Sequence, residues 1–487
     1  MKAIDGLAPA VLWNRFYEIS QIPRPSKHEE RIRLYLRNFA GTNNLEFRED
    51  KVGNIVITIP PKPGFENVPG IVLQSHVDMV CEKNKNTDHD FYNDPINLVR
   101  DGEWIKADGT TLGADNGIGV AAALAIATDN HFNHGPIELL FTVDEETGLT
   151  GANNLEPGFI KGKFLLNLDT EEDGFYYVGC AGGMDTMGSF KIESVQIDDS
   201  WLPYTIFVSG LKGGHSGINI SDKRANAIKL LALLLNKLKV IDYYVVIISG
   251  GSKRNAIARE AEAQILIKSE YEAVLREKIN EFSLESVLEF KSTDRDLKIT
   301  FEKSESGKTG TVYTKDFTNK ILNVLLSMPH GVVSMSPDIP GLVETSTNLA
   351  TVVVENELMK IGTSQRSSIE SAKKNIAASV KAVFDLAGAE VIVGDGYPGW
   401  QPNLDSKLLR LSRKVFKDLF GHTPELKAVH AGLECGILGD KYPGLEMISF
   451  GPTIEGAHSP DEKVKIEDVE KFYRLLKAIL VEVSKTK

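Results

Sequence analysis

Histidine and carboxylate residues recur along this chain in the types and order that a pair of divalent metal ions requires. They form three short motifs and two isolated acidic positions: His76 and Asp78, Glu145 and Glu146, His458, and the single residues Asp115 and Asp169. Two metal ions that lie roughly 3.5–4 Å apart need a shared carboxylate, terminal imidazole and carboxylate ligands, and a base for the water. The chain offers a residue for each role, which predicts a two-metal hydrolytic site.

The ligand types also narrow the choice of metal. Imidazole and carboxylate without thiolate suit zinc, and they also suit cobalt or manganese. We therefore expect the cofactor to be two Zn²⁺ ions, with Co²⁺ or Mn²⁺ as substitutes.

Apolar runs lead into the candidate residues. Three of them have the length and composition of strands buried in a parallel sheet: Gly70–Gln74 before His76, Ile137–Val143 before Asp144, and Lys163–Leu168 before Asp169. The small residues after Asp115 predict a helix from Ile118 to Ala127. Ligands of open α/β sheets gather at the carboxyl ends of the strands, so this fold would collect the candidates at one edge.

Each signal alone has an ordinary explanation. An isolated His-X-Asp is more often a solvated loop pair, Asp115 is compatible with a helix N-cap, and His458 before Ser-Pro is compatible with a turn. The ordered combination, with each member at a strand end or in a loop, favours the metal site.

The motifs also carry a family resemblance. Ser-His-Val-Asp-Met-Val-Cys-Glu-Lys from residue 75, Asp-Gly-Thr-Thr-Leu-Gly-Ala-Asp-Asn-Gly from 108, Asp-Glu-Glu-Thr-Gly from 144 and His-Ser-Pro-Asp-Glu from 458 resemble bacterial aminoacyl-histidine dipeptidases. These enzymes belong to a superfamily with co-catalytic zinc that also holds aminoacylases and glutamate carboxypeptidases. The resemblance spans nearly the whole chain.

The resemblance implies a role for each motif residue. Asp115 would bridge the metals, with His76 and Asp169 completing one metal position and Glu146 and His458 completing the other. Asp78 would hydrogen-bond the far nitrogen of His76 and fix its tautomer. The metals would lower the pKa of a bridging water toward about 7, and the resulting hydroxide would attack the peptide carbonyl. Glu145 would be the general base that removes the water proton and passes it to the leaving amine.

Four further residues match substrate-binding positions of the family: His215, Asn255, Arg366 and Gly432. His215 would donate to the developing oxyanion, and Arg366 suits the carboxylate of a free C-terminus because guanidinium binds carboxylate bidentately. Gly432 would let backbone approach the substrate closely. His430 and Glu434 have the spacing of a helical ligand pair, but the site is already filled, so we expect structural or substrate-lining roles.

The order of the ligands predicts the domain organisation. With 487 residues the chain exceeds a single core, and His458 follows Asp169 only after a long excursion. Glycine-rich breakers near 179–183 and 394–402 mark the exit and the return. We therefore expect an α/β fold, with a catalytic domain from residues 1–186 and 399–487 around a mainly parallel sheet. An inserted α+β lid domain would span residues 187–398.

The sequence of the lid predicts two ferredoxin-like halves, each in the order strand, helix, strand, strand, helix, strand. The first half would open with Tyr204–Ser209 and close with a strand near Val287–Phe290. The second half would open with Leu297–Phe301 and close with Glu390–Val393.

Composition excludes several classes of partner and compartment. A net charge of -12 argues against nucleic acid and anionic membranes as partners. Three scattered cysteines argue against a disulfide framework. We find neither a signal-peptide pattern nor an apolar run long enough to span a membrane, so we expect a cytoplasmic protein. A homodimer is compatible with the sequence.

The predicted function is metal-dependent hydrolysis of unblocked dipeptides, with broad specificity that includes Xaa-His. Deacylation of N-acyl amino acids is the alternative, because it would use the same metals and base. A metal-binding protein without catalysis is disfavoured because Glu145 and every ligand are present.

Overall fold

The computed structural model describes residues 2–304 and 310–486 of the 487-residue chain. The chain divides into two compact units. The first unit contains the chain through Gly179, the segment Trp400–Ala428 and the segment from Leu433 onward. The second unit contains Cys180–Gly399 and Val429–Gly432.

Twelve α-helices lie in the described residues: α1 Ala10–Ser20, α2 Glu30–Thr42, α3 Ala114–Thr128, α4 Glu145–Gly148, α5 Thr150–Asn154, α6 Ala227–Lys237, α7 Glu272–Glu289, α8 Lys315–Ser327, α9 Glu370–Leu386, α10 Lys407–Phe420, α11 Glu434–Lys441 and α12 Ile466–Ser484. Short 3₁₀ helices lie at Ile220–Asp222, Leu238–Val240 and Ser269–Tyr271. None of the helices within 2–304 and 310–486 combines the length and apolar character needed to cross a membrane.

The strands of the described residues are, in chain order: β1 Glu46–Glu49, β2 Ile55–Ile59, β3 Ile71–His76, β4 Leu98–Asp101, β5 Trp104–Ala107, β6 Ile137–Thr142, β7 Phe164–Asn167, β8 Phe175–Cys180, β9 Gly182–Lys191, β10 Ser194–Gln196, β11 Leu202–Ser209, β12 Tyr243–Gly250, β13 Ala261–Ile267, β14 Lys298–Lys303, β15 Thr311–Tyr313, β16 Gly331–Met335, β17 Val343–Glu355, β18 Leu358–Ser367, β19 Glu390–Val393, β20 Glu425–Val429, β21 Glu446–Ser449, β22 Ile454–Glu455 and β23 Lys463–Lys465.

The core of the first unit is an eight-stranded sheet in the order β1-β2-β6-β3-β7-β21-β8-β20. Its middle strands β6, β3, β7 and β21 are parallel, while β1 pairs antiparallel with β2, β2 with β6, and β8 with β21. Every residue of β3, β6 and β7 is buried, as expected for strands covered on both faces. The predicted α/β class with a parallel centre is therefore confirmed.

The register of the parallel strands sets the position of the candidate site. His76 pairs with Thr142, and Gln74 pairs with Asn167. The strands therefore end at the same edge of the sheet, and the residues that follow them leave from that edge. A four-stranded sheet, β22-β23-β5-β4, completes the first unit.

The second unit is built on a nine-stranded antiparallel sheet in the order β14-β11-β13-β12-β17-β18-β9-β19, with β16 beside β17. Its first half follows the chain as β11, α6, β12, β13, α7 and β14, which is the ferredoxin-like order. Its apolar core includes Leu231, Leu235, Ile265 and Ile279. The prediction of two ferredoxin-like halves is confirmed, although their strands are assigned differently.

The predicted strand near Val287–Phe290 is wrong, whereas Leu297–Phe301 largely forms a strand as predicted but belongs to the first half. Val287–Glu289 lie in helix α7, whose buried residues Leu275, Ile279, Phe282 and Ser286 keep a helical period through this stretch. The run 297–301, predicted to open the second half, overlaps β14, which pairs with β11 and closes the first half. The second half instead begins with β9, so the first half is inserted between β9 and α8. Long-range pairing of β9 with β18 and β19 has no local sequence signal.

A close backbone crossing joins the two ends of the second unit. A Cβ added at Gly182 would lie 2.5 Å from the Gly399 nitrogen and 2.5 Å from the Tyr397 carbonyl oxygen. Because those atoms are backbone, they cannot rotate away. Only glycine fits at position 182.

We predict that Gly182→Ala lowers the free energy of unfolding by about 1–3 kcal/mol, because the added methyl group forces backbone atoms apart. Chemical denaturation measures this loss. Gly41→Ala is the matched control, since nothing lies within 4 Å of a Cβ there and the residue is helical. A Gly182→Ala protein as stable as wild type would contradict the packing described.

Candidate metal centre

Two groups of side chains at the carboxyl edge of the parallel strands share Asp115. The first group holds His76, Asp115 and Asp169, and the second holds Asp115, Glu146 and His458. The His76 Nε2 atom lies 3.0 Å from Asp115 Oδ1 and 3.3 Å from Asp169 Oδ1. The His458 Nε2 atom lies 3.2 Å from Asp115 Oδ2 and 3.0 Å from Glu146 Oε2. Each oxygen of Asp115 thus faces a different imidazole.

These distances fit a pair of metal ions. Two ligand atoms about 2.0–2.1 Å from a tetrahedral zinc lie roughly 3.3–3.4 Å from each other. Glu146 Oε1 is buried and has no hydrogen-bond partner among residues 2–304 and 310–486. A role for this oxygen as a metal ligand would explain why it is buried without a partner. The donor set of imidazole nitrogen and carboxylate oxygen also suits zinc, cobalt and manganese.

Asp78 orients His76 and the turn that carries the acidic pair. Asp78 Oδ1 lies 3.3 Å from His76 Nδ1, and Oδ2 accepts a hydrogen bond of 2.8 Å from the Ser26 hydroxyl. The amides of Glu145 and Glu146 donate to the same carboxylate at 3.1 and 3.2 Å. Burial opposes the charge, but the neighbouring His76 ring, followed by the hydrogen bonds from Ser26 and the Glu145 amide, lowers the pKa of Asp78 to about 2. With Asp78 ionised, the His76 ring presents Nε2 to the other carboxylates.

Asp144 shapes the turn before Glu145. Its backbone is left-handed, with φ of 51°, which is rare for a residue other than glycine. The hydroxyls of Thr147 and Thr150 donate to its carboxylate. Its amide donates to Glu29 Oε1 at 3.0 Å. These hydrogen bonds hold the strained turn in place.

Glu145 lies beside the first imidazole, with carboxylate oxygens of Glu145 and Glu146 within 4.8 Å of His76 and of each other. Burial raises the pKa of Glu145 well above its ordinary value. His76 opposes this rise, and the carboxylates of Asp169 and Glu434 add to it. A carboxyl group in such surroundings accepts and releases a proton nearer neutral pH than an exposed one.

His458 also has a left-handed backbone, with φ of 62°. Its side chain is 55% exposed, so it is the accessible member of the two groups. Hydrogen bonds to Asp115 and Glu146 raise its pKa to about 11, against the effect of burial. The metal-free protein therefore carries a proton on this ring, where the charge offsets the two carboxylates.

Arg24 is a supporting residue that sequence reasoning missed. Its side chain is buried and donates to the carbonyl oxygens of Val77 at 3.0 Å, Asp78 at 2.7 Å and Gly113 at 2.5 Å. It therefore ties the segment after His76 to the turn before Asp115. The only local feature of the sequence that marks this arginine is the proline on each side of it.

A chain of buried polar side chains also runs beneath the metal groups. Gln74 Nε2 donates to Glu434 Oε2 at 2.5 Å, and the Thr142 hydroxyl donates to the same oxygen at 2.8 Å. Asn167 donates to Gln74, and Ser449 donates to Asn167. Polar residues at the ends of apolar strand runs were the available signal for this network.

His430 lies outside the helix that begins at Glu434. His430 belongs to the second unit and its Nε2 lies 2.7 Å from the Ser346 hydroxyl. Glu434 opens helix α11 in the first unit and takes part in the buried network. The helical ligand pair suggested by their spacing is therefore not formed.

The four predicted substrate residues gather within the second unit. Arg366 is 6% exposed; its Nη1 donates to the Tyr397 hydroxyl at 2.8 Å and its Nε to the Ser216 hydroxyl at 3.4 Å. A Cβ at Gly432 would lie 3.0 Å from the ring of Tyr397. Tyr397 thus contacts Arg366 and lies close to Gly432, and sequence reasoning did not single it out.

His215 and Asn255 lie on adjoining segments of this cluster. The amides of Gly217 and Ile218 donate to His215 Nδ1 at 3.2 and 3.1 Å, so the neutral ring carries its proton on Nε2. Burial, and then the charge of Arg366, lower the pKa of His215 to about 4. Asn255 is exposed, and its carbonyl oxygen accepts from the Ser216 amide at 2.8 Å.

Known proteins resemble this chain over its whole length. A profile of peptidase family M20/M25/M40 matches residues 72–482. The cytosol non-specific dipeptidase of Escherichia coli (strain K12) is 39% identical over 485 residues, which cover 99% of each chain. The crystal structure of aminoacylhistidine dipeptidase from Vibrio alginolyticus has a TM-score of 0.90 and 41% identity, covering 98% of this chain and 97% of that chain.

A more distant structure shares the fold alone. Aminopeptidase PepT from Bacillus cereus ATCC 10987 has a TM-score of 0.58 and 18% identity, covering 98% of this chain and 100% of that chain.

The fold and the paired ligand groups define a metallopeptidase. More specifically, the chain belongs to peptidase family M20/M25/M40, because the match covers most of its length. The resemblance seen in the sequence motifs is confirmed.

We predict that metal binding is coupled to proton release. Burial opposes a charge on His76, but Asp169, Asp115 and Asp78 raise its pKa well above the ordinary value, and the pKa of His458 is raised to about 11. Both rings must lose a proton to bind metal. The apparent affinity for Zn²⁺ should therefore rise with pH, by about tenfold per pH unit for each proton displaced.

Calorimetric titration between pH 6 and 8, in buffers with different ionisation enthalpies, measures the affinity and the protons released together. An affinity that does not change with pH, with no proton release, would contradict the assignment of the two imidazoles as ligands.

Proposed function

We propose that this protein is a metal-dependent dipeptidase that hydrolyses unblocked dipeptides with broad specificity, including Xaa-His. The observation that carries the proposal is the shared position of Asp115 between two imidazole and carboxylate groups, with Glu145 beside them. Full-length similarity to a non-specific dipeptidase and to an aminoacylhistidine dipeptidase supports the substrate class.

The proposed metal ligands are the two observed groups: His76, Asp115 and Asp169 at one position, and Asp115, Glu146 and His458 at the other. We propose zinc as the native metal, with Co²⁺ or Mn²⁺ as substitutes, because the donor set lacks thiolate. When bound, such ions polarise the peptide carbonyl and make a water molecule more acidic.

Glu145 acts as the general base in this proposal. It takes the proton of the attacking water and returns it to the nitrogen of the leaving amine, so that the amine departs neutral. The buried, acid-rich surroundings that raise its pKa suit both steps. Asp78 keeps the His76 ring in the tautomer that leaves Nε2 free to bind metal.

Residues of the second unit bind the substrate in this proposal. The fixed tautomer of His215 gives it an Nε2–H group suited to a developing oxyanion. Arg366, held by Tyr397 and Ser216, is suited to the free carboxylate of a dipeptide. Asn255 and Gly432 line the same region of the second unit. A cytoplasmic location is part of the proposal, in keeping with the Escherichia coli relative named for the cytosol.

The substrate assignment is tested by amine release from glycyl-histidine and from its N-acetylated form, each with and without a chelator. We expect chelator-sensitive cleavage of the free dipeptide alone. Cleavage of the acetylated compound alone would identify an N-acyl amino acid deacylase instead, and cleavage of neither would contradict both assignments.

We predict that Glu145→Gln lowers kcat by at least about 10²- to 10⁴-fold, since the amide cannot take the water proton. Metal content should stay at the wild-type value, because Glu145 is not a proposed ligand. Steady-state kinetics and elemental analysis of the same sample measure both. Glu156→Gln, on the surface, is the control and should behave as wild type. Wild-type turnover in the Glu145 variant would remove it from the mechanism.

We predict that Arg366→Ala raises KM for dipeptides by about 10- to 100-fold, the loss expected for hydrogen bonds to a charged group. A dipeptide amide lacks the carboxylate, so its KM should change little. Arg254→Ala provides a matched control, because Arg254 is an exposed arginine of the second unit. An equal KM effect on the dipeptide and its amide would show that Arg366 does not read the carboxylate.

A further inference from the structure

Glu462 makes an unusually complete set of contacts close to the metal groups. The residue is only 2% exposed. Oε2 accepts hydrogen bonds from the amides of Leu112 at 2.7 Å and Gly113 at 2.9 Å. Oε1 accepts from the amides of Ala114 at 2.7 Å and Asp115 at 3.2 Å. One carboxylate therefore binds four consecutive backbone amides.

These amides belong to the turn that delivers Asp115. Gly113 has a left-handed backbone, and Asp115 has non-helical angles, φ of -77° and ψ of 110°, at the start of α3. The amides at a helix start have no partner within the helix, and a carboxylate there is favoured by the helix dipole. Removing the carboxylate would leave buried N–H groups without acceptors.

The same turn is fixed from its carbonyl side. Arg24 donates to the Gly113 carbonyl oxygen at 2.5 Å. A Cβ at Gly113 would lie 2.5 Å from Arg24 Nη2, so any larger residue would displace the Arg24 side chain. Two buried groups of opposite charge therefore hold the turn. Arg24 donates to a carbonyl oxygen of the turn, and Glu462 accepts from the amides of the turn.

Glu462 also connects the two ligand segments of one metal position. It lies four residues after His458 in the motif His-Ser-Pro-Asp-Glu. Its hydrogen bonds reach the backbone of Asp115, whose Oδ2 lies 3.2 Å from His458 Nε2. A shift of Glu462 would therefore change the separation of two proposed ligands of the same ion.

We propose that Glu462 is a positioning residue that sets the Asp115 carboxylate opposite His458 and thereby controls metal affinity at the position formed by Asp115, Glu146 and His458. This inference rests on the metal site of the proposed function. The other position depends less on Glu462, because His76 is the last residue of strand β3 and Asp169 follows strand β7.

The test compares wild type, Glu462→Gln and Glu455→Gln in Co²⁺ titrations of the metal-free proteins. In Glu462→Gln the amide keeps one acceptor oxygen and turns an NH₂ group toward backbone donors. We expect wild type to bind two Co²⁺ ions and Glu462→Gln to bind one of them about 10- to 100-fold more weakly. Glu455, exposed and paired with Lys463 at 2.9 Å, is a nearby control and should leave both affinities unchanged.

Thermal unfolding separates positioning from a general structural role. Positioning predicts that the rise in Tm caused by Co²⁺ is smaller in Glu462→Gln than in wild type, and that kcat falls more than KM changes. A variant whose Tm is lowered equally with and without Co²⁺, and whose two affinities match wild type, would overturn the inference.

A second substitution keeps the test decisive if Glu462→Gln does not fold. Glu462→Asp retains the charge but is shorter by one methylene group, so it cannot reach all four amides. Weaker binding of one ion is again expected, and wild-type affinity would overturn the inference. If wild type itself binds no metal, the proposed function fails; if wild type binds two ions and the Glu462 variants match it, only this inference fails.

Discussion

The close packing of three carboxylates, with Asp115 between the other two, is the constraint on which the rest of the site depends. Asp115, Glu146 and Asp169 meet two imidazoles at distances of 3.0 to 3.3 Å. Negative charges at such short distances raise the free energy of the folded protein unless cations or hydrogen bonds offset them. In the metal-free protein protonated histidines supply the positive charge, and divalent ions would supply it in the working enzyme. We therefore expect this site to release protons when it binds metal.

This charge arrangement requires a rigid support, which the parallel sheet and buried hydrogen bonds provide. The Asp78 carboxylate accepts hydrogen bonds from the amides of the acidic turn, and Arg24 donates to the turn before Asp115. Gln74 belongs to the buried network beneath the strands. The contacts of Asp78 and Arg24 fix backbone next to proposed ligands. The left-handed residues Asp144 and His458 show where the chain is strained to deliver side chains.

The sequence predicted those parts of the fold and site that have local signals. The apolar runs before His76 and Asp169 indicated buried strands, and the motif residues proved to lie together at their ends. The strand β9 was missed because its partners lie far along the chain and no local pattern reports them. Likewise, Arg24 and Tyr397 act through contacts between distant segments, which a single sequence does not reveal.

Asp115 is proposed to bridge two metal ions. The most direct measurement is a crystal structure of the zinc-loaded protein with anomalous diffraction recorded at the zinc edge. We predict two anomalous peaks roughly 3.5–4 Å apart, one on each side of the Asp115 carboxylate. A single peak, or two peaks of which neither contacts Asp115, would contradict it.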